Sequence, residues 1–314
     1  MTSLPTHQVP EVWDRAQPAY DEFVRPFSER VGELVLDAAD PVPGEHFLDL
    51  GAGTGAMAER AIRRPDLVVA VDFAPRMIET LSSRIEGVYG KEHIDWVLAS
   101  HVMDAHTLSF DAEHFGSVGS NLSLPYFRDV PVVLGQIRRI LWNRGRLAIS
   151  TIADAGHKAL LAPVFNAIWS VDPGYLPPEP TSAPSLFSEA ELESLLQAAG
   201  FGEISFASHE VAFPIEDPAR YWRQWALDTP STAGIFGTID AATREAAEGA
   251  FVAELMTRKA GGAISIPVEV LITKARRIGD FERPAGLAGL RLVGHPAVDG
   301  VSEGRGLKRT TGPL

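Results

Sequence analysis

The segment Phe47–Arg60, FLDLGAGTGAMAER, places the glycines Gly51, Gly53 and Gly55 within five residues, directly after an apolar run. Glycine has no Cβ, so a loop of this composition allows another group to lie against the backbone. The apolar run predicts a buried strand, and the residues after it predict a helix that begins in the loop. A strand–loop–helix unit with these glycines indicates a ligand-binding crevice.

The segments that follow this unit alternate between strand and helix patterns as far as residue 152. The apolar run LVVAVD at 67–72 predicts a buried parallel strand, and residues 74–87 predict a helix with Pro75 in its first turn. The inward-facing positions of that helix are predicted to be Met77, Ile78, Leu81 and Ile85. The alternation predicts an α/β fold with a doubly wound, mostly parallel sheet and helices on both faces.

Four strands of this sheet are predicted to end in residues suited to ligand binding. The glycine loop follows the first strand, Asp72 closes the second, Asp104 follows the third and Asn121 ends the fourth. Ligands of doubly wound sheets bind beyond the carboxyl ends of the strands. We therefore expect these four positions to lie at one binding site.

The composition disfavours several classes of partner. The 314 residues include 28 basic and 41 acidic residues, a formal net charge of −13, which repels nucleic acid and anionic lipid surfaces. There is no cysteine, which removes disulfides, thiolate catalysis and zinc–thiolate sites. The nine histidines form no H-x-x-x-H pair, so no metal site is predicted.

The first residues and the apolar segments of the sequence predict where the protein acts. The first residues lack the basic lead and apolar core of a signal peptide. No segment approaches the roughly 20 apolar residues that a membrane span requires. We expect a cytoplasmic protein that acts on a small molecule, with neither nucleic acid nor membrane as a partner.

The glycine loop fits two classes of ligand. Read as G-x-G-x-x-A with Asp72 about 20 residues downstream, it matches the dinucleotide fingerprint of NAD(P)-dependent oxidoreductases. Read from Asp49 as acid-x-G-x-G-x-G, it matches the loop that binds S-adenosylmethionine. Both ligands need bare backbone and an acid for the ribose, so the loop alone leaves both open.

The segments downstream resemble the class I S-adenosylmethionine-dependent methyltransferases of the small-molecule type. The resemblance is carried by HVMDAHTLSF at 101–110, HFGSVGSNLSLPYF at 114–127 and PVEVLITKARR at 267–277, and it covers roughly residues 11–277. It implies a Rossmann-like, seven-stranded sheet with an antiparallel last strand, helical lid insertions, and S-adenosylmethionine as cofactor. The turn LWNRGRLA at 141–148 departs from the Pro-Gly-Gly-like turn of the family.

The resemblance also implies the residues that hold the cofactor. Asp72 accepts the ribose hydroxyls, Asp104 and Ala105 meet the adenine, and Asn121 with Leu122 lies beside the methionine portion. The chemistry of the cofactor adds Phe73 and Met77, which we expect on the two sides of the adenine. The complete predicted set is Asp49, Gly51, Ala52, Gly53, Gly55, Asp72, Phe73, Met77, Asp104, Ala105, Asn121 and Leu122.

Aromatic residues in the segments outside the predicted sheet bear on the nature of the methyl acceptor. The segments expected to cover the strand ends are aromatic-rich, which indicates either core packing or an apolar pocket. The substrate-binding candidates are Tyr20, Tyr126, Phe165, Trp169, Trp222 and Trp225. If they line a pocket, the acceptor is a small apolar or aromatic metabolite. Tyr20, His101 and Tyr126 are the candidates for a catalytic group, and carbon, nitrogen and oxygen acceptors all remain open.

The predicted organisation has three parts. Residues 1–40 form N-terminal lid helices, 41–277 form the cofactor-binding domain, and 278–314 form a weakly ordered tail. Substrate-cap insertions are expected near 156–187 and 215–260. Two alternatives remain at this stage. An oxidoreductase would need a sixth parallel strand and a Tyr-Lys or His proton donor, and a non-catalytic cofactor-binding protein would have a blocked acceptor side.

Overall fold

The computed structural model describes residues 8–65, 67–90, 98–176, 187–228, 237–259 and 264–279, and the side chains of residues 225–228 are outside this description. Residues 1–7 of the predicted lid segment 1–40 and residues 280–314 of the predicted tail 278–314 also lie outside the described residues.

The described residues form a seven-stranded sheet with the strand order β3-β2-β1-β4-β5-β7-β6. The strands are β1 His46–Leu50, β2 Leu67–Asp72, β3 Leu98–Val102, β4 Phe115–Asn121, β5 Leu141–Ile152, β6 Phe201–Pro214 and β7 Ser265–Arg277. The first five strands are parallel, and β7 lies antiparallel between β5 and β6. The predicted seven-stranded sheet with an antiparallel last strand is thereby confirmed.

Nine α-helices are described, and a π-helical segment, Tyr20–Val24, separates the first two. The helices are α1 Pro10–Ala19, α2 Arg25–Ala39, α3 Ala58–Ala61, α4 Pro75–Tyr89, α5 Val130–Ile140, α6 Asp154–Val171, α7 Glu189–Ala198, α8 Pro218–Asp228 and α9 Ala241–Thr257. In the described part of the chain, no helix has both the length and the apolarity needed to cross a bilayer.

The helix expected to begin in the glycine loop is much shorter than predicted. It spans only Ala58–Ala61, and turns occupy the residues before it. Gly51, Gly53 and Gly55 have φ angles of 74°, 56° and 90°, which lie outside the right-handed helical region. The loop therefore continues beyond the last glycine before the chain becomes helical.

The two faces of the sheet bury separate apolar clusters, because successive residues of a strand point to opposite faces. In β2, Val68 and Ala70 join a cluster with α2, α4, α6 and α9, whereas Val69 and Val71 join a cluster with α5 and α7. Each predicted inward position of α4 is buried: Met77, Ile78, Leu81 and Ile85. Helices on both faces explain the continuous apolar runs of the central strands.

The strand order reverses beside β1. From β1 the chain proceeds outward through β2 and β3, and then returns to place β4 and β5 on the other side. The connections that follow β1 and β4 therefore diverge at the carboxyl ends of these neighbouring strands. Such a divergence opens a crevice at the sheet edge, which is where ligands of this architecture bind.

Candidate functional site

A cavity of about 320 Å³ opens at this edge of the sheet. Its floor is formed by the carboxyl ends of β1, β2 and β4, and its roof by α1, the π-helical segment and α2. Nine of the residues predicted to bind a cofactor line it: Gly51, Gly53, Asp72, Phe73, Met77, Asp104, Ala105, Asn121 and Leu122. The structure thus brings the four predicted strand ends together.

The three loop glycines have different roles. A Cβ at Gly51 would lie 2.5 Å from the Cβ of Ser123, and a Cβ at Gly55 would overlap the Leu81 side chain. These two glycines therefore allow close packing within the protein. At Gly53 the nearest atom to an added Cβ is the Tyr20 hydroxyl at 3.5 Å, and Gly53 lines the cavity. Gly53 is thus the glycine whose bare backbone borders both the cavity and the roof.

Asp72 connects the glycine loop to the end of β2. Its Oδ2 accepts a hydrogen bond from the Gly53 amide at 2.9 Å, and its Oδ1 accepts one from the Ala74 amide at 2.9 Å. Desolvation raises the pKa of Asp72, and the amides of Ala74 and Gly53 partly oppose this. Each carboxylate oxygen has two acceptor sites, so each can still accept a ligand hydroxyl.

Asp49 is buried at the end of β1, two residues before the glycine loop. Neither of its carboxylate oxygens accepts a hydrogen bond of normal geometry from the described residues. Burial raises its pKa to about 8, although the Ala58 amide favours the charged form. A buried carboxyl group without a partner favours a cationic group nearby, because the two charges would stabilise each other.

Asp104 and His106 form a connected pair at the rim of the cavity. Oδ1 of Asp104 accepts hydrogen bonds from the His106 amide at 2.9 Å and from its ring Nδ1 at 2.5 Å. Nε2 of His106 accepts from the Asp129 amide at 3.1 Å, which fixes the proton of a neutral ring on Nδ1. Desolvation acts to raise the pKa of Asp104, but the hydrogen bonds from His106 outweigh it and hold this pKa below its ordinary value.

Asn121 and Leu122 shape the end of β4 beneath α2. The Asn121 amide nitrogen donates to the carbonyl of Ser28, and its Oδ1 accepts from Ser150 Oγ, both at 2.9 Å. The next residue, Leu122, has a φ of 58°, a conformation that apolar residues seldom adopt and that clusters at functional sites. Asn121 therefore holds the strand end against α2, while Leu122 turns its side chain towards the cavity.

An aromatic group closes the roof of the cavity. The Trp13 ring meets Tyr126 edge-on at 5.1 Å between centroids and Tyr20 at 6.5 Å. The Tyr20 hydroxyl is 3.2 Å from Ser28 Oγ, and desolvation raises the pKa of Tyr20 to about 12. Tyr20 is therefore a neutral hydrogen-bonding group at physiological pH. Its position on a π-helical turn is typical of residues at functional sites.

The structure places other predicted residues away from the cavity. Trp222 is buried against Phe251, with ring centroids 4.9 Å apart. Phe165 stacks on Trp169 at 5.5 Å, and Trp169 is 42% exposed. His101 is exposed on β3, where its ring contacts another aromatic side chain. None of these four, nor Asp49, Ala52 and Gly55, lines the cavity, and the Trp225 side chain is outside the described residues.

The remaining part of the cavity is lined by residues that the sequence did not suggest. We name this part the acceptor compartment, and its apolar residues are Val24, Phe27, Ile152, Leu160, Leu161 and Phe213. His157, on the first turn of α6, also lines the cavity. The position of α6 in the sequence could have indicated its lining residues, because α6 directly follows the carboxyl end of β5 at the same sheet edge.

Comparisons with known proteins agree with this geometry. Residues 48–149 match the family model described as "Methyltransferase domain". Aklanonic acid methyltransferase DauC of Streptomyces sp. (strain C5) is 32% identical over 166 residues, which cover 51% of this chain and 73% of that protein. The chain belongs to the class I S-adenosylmethionine-dependent methyltransferases.

Further similarities of this methyltransferase cover parts of the chain. The 2-phytyl-1,4-naphtoquinone methyltransferase of Trichormus variabilis is 31% identical over 151 residues, covering 46% of this chain and 64% of that protein. The crystal structure of the YcgJ protein of Bacillus subtilis superposes with a TM-score of 0.52 at 18% identity, covering 79% of this chain and 98% of that one. At this identity, the structural similarity concerns the fold.

The residues of the methyltransferase site fit S-adenosylmethionine, which supplies an electrophilic methyl group on a sulfonium when bound. The cofactor has no phosphates, and Arg128 is the one Arg or Lys among the described residues that line the cavity. Its ribose, ammonium and sulfonium suit an acidic, partly apolar lining, which Asp72 and Asp104 provide, and Asp49 is buried two residues before Gly51. The antiparallel β7 stands where an oxidoreductase would need a further parallel strand.

Proposed function

We propose that this methyltransferase modifies a small, largely apolar or aromatic metabolite that binds in the acceptor compartment. The observation that carries the proposal is the apolar lining of this compartment, which belongs to the same cavity as the cofactor-binding residues. Ligand pockets are mostly apolar, with a few polar groups that orient the ligand. Two of the relatives, an aklanonic acid and a naphthoquinone methyltransferase, support an acceptor of this class.

The cofactor would be held by the near half of the cavity. We assign the ribose hydroxyls to Asp72, because its carboxylate lines the cavity with acceptor capacity remaining. We assign the adenine side to Asp104 and Ala105, and the ammonium side to Asp49. Phe73 and Met77 provide apolar surface for the adenine ring, since both line the same half.

The chain contributes positioning and the exclusion of water. The lid predicted at 1–40, represented by α1, the π-helical segment and α2, would cover the cofactor side, and α6 with β6 would enclose the acceptor. Holding two reactants in a reactive orientation lowers the activation barrier by on the order of 7–11 kcal/mol. Direct methyl transfer requires little more of an enzyme when the acceptor is already nucleophilic. A cytoplasmic location, which suits a chain without cysteine, stays a prediction of the sequence.

Calorimetry tests the cofactor assignment. S-adenosylhomocysteine, the demethylated product, is titrated into the wild type, into Asp72→Ala, and into Asp111→Ala as a control that removes an exposed carboxylate. We expect Asp72→Ala to weaken binding by about 1.5–3 kcal/mol, the range for hydrogen bonds to charged groups. Equal affinity of all three proteins would contradict the assignment of Asp72.

Methyl transfer itself tests the acceptor class. The protein is incubated with S-adenosylmethionine and a panel of aromatic and polar small molecules, and products are detected by the mass of an added methyl group. We expect transfer to aromatic members and none to small polar members. A protein that binds the cofactor but methylates only polar compounds would contradict an apolar acceptor.

A further inference from the structure

His157 is the titratable side chain contributed by α6 to the lining of the cavity. It lies five residues after Ile152, the last residue of β5, and both line the cavity. The lining also includes Leu160 and Leu161 on the same helix and Phe213 on β6, all apolar. An imidazole therefore stands in an otherwise apolar part of the acceptor compartment.

Close packing fixes the first turn of α6 against β7. The Ala153 amide donates to the Glu269 carbonyl at 3.0 Å, and the His157 amide donates to the Ala153 carbonyl at 2.9 Å. A Cβ added at Gly156 would overlap the backbone of Glu269. Because Gly156 precedes His157 directly, this close approach sets where the imidazole can point.

The ring nitrogens of His157 have no hydrogen-bond partner in the part of the chain that the structure describes. His106, in contrast, uses both ring nitrogens within the rim. A half-buried imidazole that faces a cavity retains one donor and one acceptor for whatever fills that cavity.

Burial favours the neutral form of His157, and the charged groups on the surrounding elements have partners of their own. On its own helix, Asp154 binds Lys158 at 2.5 Å. On β7, the Glu269 carboxylate accepts from Ser208, and Arg30 on α2 donates to the Ala212 carbonyl on β6. Desolvation lowers the pKa of His157, which the charge of Asp154 partly opposes.

We propose that His157 is the general base of this methyltransferase and that the acceptor carries a phenolic or enolic hydroxyl. This inference rests on the proposed function, because it assigns the acceptor to the apolar compartment. A neutral imidazole in contact with the hydroxyl can take its proton, and general bases of this kind contribute typically 10²–10⁴-fold. Histidine suits the role because its proton affinity matches neutral pH.

The step balances without a further reactant. The acceptor O–H bond breaks and its proton moves to the free ring nitrogen of His157. The acceptor oxygen forms its new bond to the methyl carbon, while the bond from that carbon to sulfur breaks and leaves its electron pair on sulfur. The products are the methyl ether, a neutral thioether and an imidazolium, which returns its proton to solvent.

The other candidate bases are less suited to this role. The Tyr20 hydroxyl lies beside Ser28, and with a pKa raised to about 12 it holds its own proton at neutral pH. His106 is engaged by Asp104 and Asp129. His101 does not line the cavity, which makes it a matched control.

The experiment compares the wild type, His157→Gln and His101→Gln with 1-naphthol as the acceptor probe, whose hydroxyl is un-ionised at neutral pH. Single-turnover transfer is measured from pH 6 to pH 10 at saturating S-adenosylmethionine. We expect His157→Gln to lower the rate at pH 7 by 10²–10⁴-fold, and the deficit to shrink by about tenfold per pH unit as the naphthol ionises unaided. His101→Gln should match the wild type, and all three should bind S-adenosylhomocysteine within twofold.

A second measurement does not depend on turnover. Proteins with ring-labelled histidine are observed by NMR with S-adenosylhomocysteine bound, and the His157 resonance is identified by its loss in His157→Gln. We expect 1-naphthol to shift this resonance and leave that of His101 unchanged. An unshifted resonance, or a rate deficit that is the same at every pH, would overturn the role of His157.

The outcomes separate this inference from the proposed function. If the wild type methylates 1-naphthol and His157→Gln retains the rate at pH 7, only the role of His157 is wrong. If the wild type binds the cofactor but neither binds nor methylates aromatic hydroxyl compounds, the proposed acceptor class is wrong as well.

Discussion

Replacing Asp49 by Asn should stabilise the ligand-free protein increasingly as the pH rises. Burial raises the pKa of Asp49 to about 8, so the folded protein holds this proton near neutral pH. The unfolded chain releases it near the ordinary value of about 4. Because the unfolded state then binds fewer protons, stability is full below pH 4 and falls as the pH rises towards 8. An asparagine does not titrate and removes this dependence.

The size of the effect follows from the two pKa values. A pKa that rises from 3.8 to about 8 corresponds, at about 1.4 kcal/mol per pH unit, to roughly 6 kcal/mol over the whole range. Between pH 5 and pH 8 the stability difference between Asp49→Asn and the wild type should grow by about 3–4 kcal/mol. The slope is more informative than the absolute difference, because a buried amide without partners has its own cost of about 1–3 kcal/mol.

Urea unfolding at pH 5, 6, 7 and 8 without ligand measures this slope. Asp111→Asn removes an exposed carboxylate and controls for the change in net charge. Calorimetry provides a linked test, since a bound ammonium group would ionise Asp49. The wild type should release about one proton on binding S-adenosylhomocysteine at pH 7, seen as a dependence of the heat on the buffer, and Asp49→Asn should release none.

Parallel stability curves for Asp49→Asn and the wild type between pH 5 and pH 8 would refute this reasoning. Such a result would mean that Asp49 is ionised in the ligand-free protein and already has a partner. The assignment of the cofactor ammonium to this carboxylate would then lose its physical basis.

Three further predictions concern packing. Gly55→Ala should lower the free energy of unfolding by about 1–3 kcal/mol, because its Cβ would overlap Leu81, and urea unfolding should show this while the folded fraction still binds S-adenosylhomocysteine. Gly53→Ala should instead reduce that affinity, measured by calorimetry, with a cost in stability of about 1–2 kcal/mol from its positive φ; unchanged affinity would place the ligand elsewhere. Trp222→Ala should lower the free energy of unfolding by about 3–5 kcal/mol, because Trp222 packs on Phe251, with KM for the acceptor unchanged; a raised KM in a stable variant would contradict a packing role.

The sheet could be predicted from the sequence because buried parallel strands have a strong local signal. The run LVVAVD has no polar residue before Asp72, and helices on both faces require just such a run. The inward residues of α4 could likewise be predicted, because the spacing of apolar residues is also a local signal. The short length of α3 could not be predicted, because the glycine loop before it packs against Ser123 and Leu81, which are distant in sequence.

The cofactor half of the cavity was easier to predict than the acceptor half. Asp72 is the last residue of β2 and Asp104 lies two residues after β3, so strand order alone brings them to one edge of the sheet. Trp222 and Trp169 lie on helices beyond the sheet, and their orientation depends on how those helices pack. His157 was missed because an isolated histidine has no sequence pattern, and its place on the lining comes from the contact of Gly156 with β7.

The hydrogen bonds that Asp72 receives from Gly53 and Ala74 come from the chain itself, so folding alone orders this turn. The entropy of ordering this turn is therefore lost when the chain folds and does not have to be lost again at binding. The turn that we assign to the nucleoside is therefore preorganised, and we expect binding with little rearrangement of this turn. Selectivity between methyl donors and their analogues is then set by the shape that folding has already imposed.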